Sequence, residues 1–275
     1  MNSTQKTTLR TRFARLAPAL ALSAVMAGCA SVPHPSPNDP WESYNRSMYQ
    51  FNEAVDKAFL KPVAQAYQAV TPEPARTCIH NIFNNFRDIW SAFNSFLQGR
   101  GHDGVNMVGR VLFNSTMGLG GCVDVASMNG SKRIVTDLGV TLGVWGVDPG
   151  PYVVLPFLGS SSVRDGFATG AALAVDISPL TPAFEIDNIP LRNSILALSA
   201  IDLRASLLSA DDLVDRIALD RYSFIRDAYI QRRQAQVRGQ QFNPNNPYQA
   251  AEEDLPDYSI DDDDVPAAAP ATSAQ

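Results

Sequence analysis

Residues 75–97 read ARTCIHNIFNNFRDIWSAFNSFL. Within them Ile79, Ile82, Phe83, Phe86, Ile89, Trp90, Phe93, Phe96 and Leu97 recur every three or four positions, one wide apolar stripe at the 3.6-residue period of an α-helix. The opposite face carries Asn81, Asn84, Asn85, Ser91, Asn94, Ser95 and Gln98, polar but uncharged, with Arg87 and Asp88 at mid-length. Such a stretch is long enough to cross a bilayer, but the two charges would sit near its centre at about 2.5–3.5 kcal/mol each. The helix therefore does not span. It is either a buried core helix or one lying flat in a lipid interface, and the rest of the chain must choose between them.

The N-terminus bears on that choice. Lys6, Arg10, Arg12 and Arg15 precede the apolar run Leu16 to Ala27, and Gly28-Cys29 follows. A basic segment, a short apolar core and a small-residue exit form a secretory signal peptide, 1–28, too short to be a spanning helix. Val25-Met26-Ala27-Gly28-Cys29 resembles the bacterial lipobox, with Met26 where the consensus has Leu. That resemblance makes Cys29 the acylated first residue of the mature chain, and several acyl chains together make a stable anchor where one does not. Ala30 stands where Asp would be the usual inner-membrane retention signal, which implies the outer membrane, periplasmic side, of a Gram-negative bacterium.

All 28 acids lie beyond residue 28, and eight of them (Glu252, Glu253, Asp254, Asp257 and Asp261 to Asp264) lie in 240–275, where there is no base. That acidic tail has too little apolar surface to offset the entropy of ordering. Residues 29–38, rich in Pro, form a tether. The body between them has 18 bases against 20 acids, about −2, so it offers no basic field for nucleic acid. Its roughly 200 residues suffice for one sizeable domain, 39–239.

Along that body the pattern is mainly α with glycine-rich loops. Asp39-Pro40-Trp41-Glu42 reads as a capping signature, with Asp39 as the cap. The helix it opens runs to Leu60 on a stripe of Trp41, Tyr44, Met48, Phe51, Val55 and Phe59 and stops at Lys61-Pro62. Further helices are predicted over 62–70, 75–97, 103–117, 163–176, 191–208, 211–218 and 221–237. Residues 132–160 read as compact loop with short helical turns and an extended piece at Tyr152 to Leu158, and 177–190 as a connecting loop.

Catalytic signatures find no support. The three histidines, His34, His80 and His102, have no metal-ligand spacing, and Gly159-Ser160-Ser161-Ser162 lacks the return glycine of a nucleophile elbow. Gly118 to Gly121 has no Lys-Ser/Thr after it and reads as a tight turn. No enzyme, metal or cofactor is therefore expected. Cys78 and Cys122 remain once Cys29 is acylated. In an oxidising compartment they either pair, closing a 44-residue loop, or stay apart as small buried apolar residues. Arg164-Asp165, Asp202 with Arg204, and Arg226-Asp227 are either structural ion pairs or the polar lining of a body whose outside is greasy.

Several of these segments together carry a resemblance. Asp39-Pro40-Trp41-Glu42 with Asn45-Arg46, Leu60-Lys61-Pro62-Val63-Ala64, Leu97-Gln98-Gly99, Asn114-Ser115-Thr116, Gly118 to Gly121, Trp145-Gly146-Val147, Ser162-Val163-Arg164-Asp165-Gly166 and Tyr222-Ser223-Phe224-Ile225-Arg226-Asp227 resemble the MlaA (VacJ) family of outer-membrane lipoproteins. The match runs over 39–239, with Arg221 standing where the family usually has Pro; the cysteine pair is outside the family pattern. The resemblance implies a ring-like assembly of amphipathic interfacial helices around a central channel, in the inner leaflet of the outer membrane. It implies association with a porin trimer, and removal of mislocalised phospholipid from the outer leaflet for delivery to a periplasmic lipid carrier, so that lipid asymmetry is maintained. Asn94, Asn114, Arg164 and Asp165 are the candidate lipid-path residues. The alternative is a structural lipoprotein that scaffolds porins or the envelope without moving lipid.

Overall fold

The computed structural model describes residues 36–174, 179 and 181–239. Cys29, the 1–28 segment, most of the 29–38 tether and the 240–275 tail lie outside the described residues. The architecture is mainly α, with one two-stranded hairpin. Helix α1 (Glu42–Val55) runs through a π-helical segment (Asp56–Leu60) directly into α2 (Lys61–Val70). Pro62 does not stop it. Proline has no N–H to donate and clashes with the carbonyl one turn earlier, and the wider π-turn just before it gives that ring room.

The organising stretch is α3 (Glu73–Leu97), which turns at Gly99, a left-handed residue at φ 73°, into α4 (Gly101–Thr116). The two pack closely because Gly104 lies under the Phe96 ring, where a Cβ would come within 2.7 Å. At the far end of this pair the chain makes a tight turn through Leu119, Gly120 and Gly121, all at positive φ. Cys122, just past the turn, is disulfide-bonded to Cys78 of α3, with 4.1 Å between Cα atoms. Closing a loop of this length removes about 4 kcal/mol of unfolded-state entropy in the chain-entropy model. Cys78→Ser is accordingly expected to cost about 2–4 kcal/mol, read as a lower urea midpoint. A midpoint indifferent to both the substitution and reductant would show that the turn is held without the bond.

Short helices α5 (Val125–Met128) and α6 (Leu138–Val144) follow, each capped by an aspartate: Ser127 N donates to Asp124 and Val140 N to Asp137. Strands β1 (Tyr152–Leu155) and β2 (Gly159–Ser162) pair antiparallel, Tyr152 opposite Ser162 and Leu155 opposite Gly159. The first strand is the predicted extended piece. The second was hidden, because Gly-Ser-Ser-Ser has neither alternation nor β-branched residues. Two asparagines of α1, seven residues apart and so on one face, dock this hairpin: Asn45 donates to Tyr152 O and accepts from Val154 N, and Asn52 donates to Leu155 O and accepts from Phe157 N. Each amide stands in for a missing neighbouring strand. Then come α7 (Val163–Ala174), α8 (Thr181–Phe184) in the expected connecting loop, α9 (Ile189–Ser206), α10 (Leu208–Ile217) and α11 (Arg221–Arg238).

One expectation fails at the start. Asp39 does not cap α1, whose first residue is Glu42 and whose N-cap position, Trp41, makes no side-chain cap. Asp39 is instead fully buried, accepting from Asn45 Nδ2 at 2.7 Å and from the hydroxyl of Tyr222, so it ties the first helix to the last. A buried carboxylate must be hydrogen-bonded, and the distant partners outcompete a local cap.

Packing is inverted relative to a water-soluble bundle. The buried residues of α3 are Asn85, Asp88, Ser91, Ala92, Asn94 and Ser95, whereas Phe86, Ile89, Phe93 and Phe96 are 47, 51, 46 and 48% exposed. Among the described residues, buried polar and charged side chains outnumber buried apolar ones, and the apolar clusters are small: Ala92, Met107 and Ile134 in one, Tyr152, Val154 and Tyr222 in the other. Large apolar side chains cover the outside, including Phe59, Val70, Met117, Leu119, Met128, Phe157 and Phe167. No helix of the described residues is long and apolar enough to cross a membrane.

Candidate functional site

The interior is held by charge. Arg110 of α4, 1% exposed, donates bidentately to Asp124 (3.0 and 2.8 Å), to Ser127 Oγ and to the Ser131 carbonyl, and reaches Asp88 of α3 at 3.4 Å. Asp88 also accepts from Arg133 Nε at 2.5 Å. Five donors in a rigid fork let one guanidinium organise three segments at once. The N-cap bonds from Ser127 and the bonds from Asn114 and Arg110 outweigh the effect of burial and hold the Asp124 carboxyl at about 2.

A second centre lies on α11. Arg233 donates to both oxygens of Asp137, which caps α6, at 2.6 and 2.9 Å, and through Nε to Asp165 of α7 at 2.8 Å. Asp165 also accepts from Arg164 Nε at 2.9 Å and from the Tyr229 hydroxyl. Burial alone would raise the Asp165 carboxyl, but Arg233, Tyr229 and Arg164 win and hold it at about 2. A depressed carboxylate contributes stability that is full above its unfolded value, about 3.9, and is lost as pH falls through the folded one. Acid unfolding is therefore expected to steepen between pH 4 and 2, and Asp165→Asn, though less stable at neutral pH, should lose less further stability in that window. Asp124 and Asp220, also at about 2, keep the change partial. An unaltered slope in circular-dichroism titrations would mean that Asp165 is solvated in the folded protein.

Gly139 and Gly143 of α6 face this centre. A Cβ at Gly139 would meet Asp165 Oδ1 at 2.5 Å, and one at Gly143 would meet Arg164 Nη1 at 2.6 Å. Their spacing of four puts both on one helix face, so the glycine pattern of 139–146 marks where two charged helices press against a third.

Two cavities flank α11. One, of about 300 Å³, is bounded by the 146–150 loop, Tyr152, Ser162, Arg164 and Asp165, and by Tyr229, Arg233 and Val237. The other, of about 370 Å³, is bounded by Arg100, Asp103, 133–136, Ala228, Arg232 and Gln236. At 100° per residue, 228, 232 and 236 share one face of the helix and 229, 233 and 237 another. The last helix is thus a polar partition between two water-accessible spaces.

The four lipid-path candidates separate on this geometry. Arg164 and Asp165 line the smaller of these cavities. Asn94 is fully buried and spent on protein, donating to Trp90 O and accepting from Thr141 Oγ1. Asn114 is likewise spent, donating to Asp124 and accepting from Ala126 N. Sequence reasoning missed Arg110, Asp124, Asp137 and Arg233. Asp124 and Asp137, each three residues before the N–H it caps and next to a glycine-rich stretch, left a readable signal. Among the described residues no group of His, Cys, Asp and Glu is placed to hold a metal ion.

A polar, ion-paired interior inside an apolar exterior, with no spanning helix among the described residues, defines a class of helical protein whose outer surface suits lipid better than water. Within that class the chain belongs to the MlaA lipoprotein family, whose sequence profile matches residues 37–236. It is 37% identical to the intermembrane phospholipid transport system lipoprotein MlaA of Shigella flexneri over 87% of this chain and 96% of the relative. Identity and coverage are the same against the Escherichia coli K12 protein of that name. The Haemophilus influenzae protein of the same name is 33% identical over 73% of this chain and 79% of its own length. A solved structure, from work on the structural basis for maintenance of bacterial outer membrane lipid asymmetry, superimposes with TM-score 0.59 at 35% identity, covering 71% of this chain and 96% of the other. This is a lipid-transport lipoprotein family, not a known enzyme family.

Proposed function

We propose that this chain is an envelope lipoprotein that carries phospholipid out of the outer leaflet of the outer membrane and so maintains lipid asymmetry. In this reading the 1–28 segment is removed, Cys29 is acylated, and the 39–239 body lies in the periplasmic leaflet with its apolar helices against acyl chains. The observation that carries it is the inversion of α3, with Asn, Ser and Asp inside and Phe and Ile outside. A soluble bundle would leave that surface to aggregate, whereas a leaflet satisfies it without a spanning helix.

The physical task is to move a headgroup past hydrocarbon, where an unpaired polar group costs several kcal/mol. The cavities beside α11, with Arg164 and Asp165 in the wall of one, offer the headgroup hydrogen bonds while the tails remain at the apolar rim. No bond is made or broken in the lipid. A porin trimer at the apolar flank and a periplasmic lipid carrier on the aqueous side are the partners this reading needs.

Deletion of the gene in its host is expected to raise the phospholipid accessible to an externally added phospholipase, and the full chain should restore it. Unchanged surface phospholipid on deletion, with normal porin assembly, would overturn the transport reading. Loss of porin assembly without surface phospholipid would favour a scaffold instead.

A further inference from the structure

Arg87, on α3, is, like Arg76 and Arg100, a half-buried arginine with no carboxylate within ion-pair distance among the described residues, and it borders an almost wholly apolar cavity. Arg110, Arg133, Arg164, Arg204, Arg226 and Arg233 each have a carboxylate within ion-pair distance. Arg87 is half-buried, and the described residues give it only two uncharged acceptors, Asn84 Oδ1 at 3.2 Å and Ser199 Oγ at 3.4 Å. The two nearest acids are already engaged, Asp88 by Arg110 and Arg133, and Asp202 by His80 at 2.9 Å. Burial, and after it the neighbouring Arg133, disfavour its charge and outweigh the carboxylates of Asp202 and Asp88, so the pKa is lowered. Desolvating a guanidinium with no carboxylate in direct contact is costly, so the position favours an anionic ligand.

Beside Arg87 is a third cavity, of about 150 Å³, with walls almost wholly apolar: Phe83 and Phe86 of α3 face Ile195 and Leu196 of α9, and Ser199 stands at the Arg87 end. Apolar cavities of about this size stay dry and accept a six-carbon hydrocarbon ring. One end is therefore suited to alkyl chain and the other to a planar cation that binds phosphate bidentately.

We propose that this is a phospholipid subsite, in which one acyl chain lies against Phe83, Phe86, Ile195 and Leu196 and the phosphate is held by Arg87. The proposal rests on the phospholipid-transport reading and locates a resting place for the lipid between α3 and α9, distinct from the α11 partition. A site of this kind discriminates by charge: a neutral diacylglycerol leaves the guanidinium bare, and inorganic phosphate leaves the apolar end empty.

The test uses the full chain, delipidated in detergent, with native mass spectrometry reading retained ligand. The probes are phosphatidylglycerol, diacylglycerol with the same tails, and inorganic phosphate. Wild type should retain phosphatidylglycerol alone. Arg87→Gln should weaken retention about tenfold, the scale of one charge-assisted bond, with partial recovery in Arg87→Lys. Leu196→Trp, which fills the apolar end and leaves the charge, should lose retention too. Asp176→Asn, at an acid outside the described residues, should leave it unchanged. Equal retention of diacylglycerol, equal binding of inorganic phosphate, or unaltered retention by Arg87→Gln would each overturn the subsite. Weakening by Asp176→Asn equal to that of Arg87→Gln would also do so, since the loss would then reflect a paired acid. If retention follows the proposal but deletion leaves surface phospholipid unchanged, the transport reading fails and the subsite stands.

Discussion

Asp88→Ala is expected to cost about 3–5 kcal/mol, because breaking a buried ion pair leaves its partner charged and dry. Asp88 is 1% exposed and holds both Arg110, itself 1% exposed, and Arg133. Without it Arg133, 26% exposed, keeps only the Asn84 carbonyl at 3.3 Å among the described residues, while the buried Arg110 keeps Asp124 but loses its second carboxylate. The loss should appear as a large fall in denaturation midpoint in detergent. The double variant Asp88→Leu/Arg110→Met should be less damaged than the sum of its single changes, since the two side chains share one network and their mutual contact is lost only once. A cost under about 1 kcal/mol for Asp88→Ala would mean that water reaches the centre of the α3–α4 interface and that its charges are not desolvated.

The second large effect concerns the outside of the same helix. Phe86→Asp with Phe93→Asp, placed in a Cys29→Ala background so that no acyl chain masks the result, is expected to abolish flotation with vesicles. Each carboxylate at hydrocarbon depth costs about 2.5–3.5 kcal/mol, enough together to outweigh the burial of several aromatic rings. Both rings are about half exposed, so helical content by circular dichroism should survive the change. If the unsubstituted Cys29→Ala body floats no better than a soluble control, the apolar exterior is covered by something other than lipid. If the charged variant still floats, α3 does not face the bilayer.

These two experiments probe opposite faces of one helix, and that helix shows where sequence reading ends. Its existence, its length and its stripe were legible because spacing alone defines them. Whether the stripe points inward was not. Asn85, Asn94 and Ser95 were read as an unusually uncharged polar face, with Asn94 also a lipid-path candidate, and the structure places them in the interior, where Asn94 meets Thr141, 47 positions away. Likewise Asp39 looked like a cap because only local partners can be weighed in a sequence, while its actual partner Tyr222 is 183 residues on.

What the sequence by itself determined is the long helices, the glycine turns, the absence of a catalytic signature and the resemblance to a lipid-facing family. These follow from local conformational preference and from residue order. Tertiary structure alone decided which face of each helix is inside and which of the scattered charges meet, as Arg233 meets Asp137 and Asp165 across 96 and 68 positions. The physical reason is that helical periodicity sets the direction of an amphipathic face but not its sign. The surrounding medium and the distant partners that satisfy buried charge settle the sign, and neither is written within one helix.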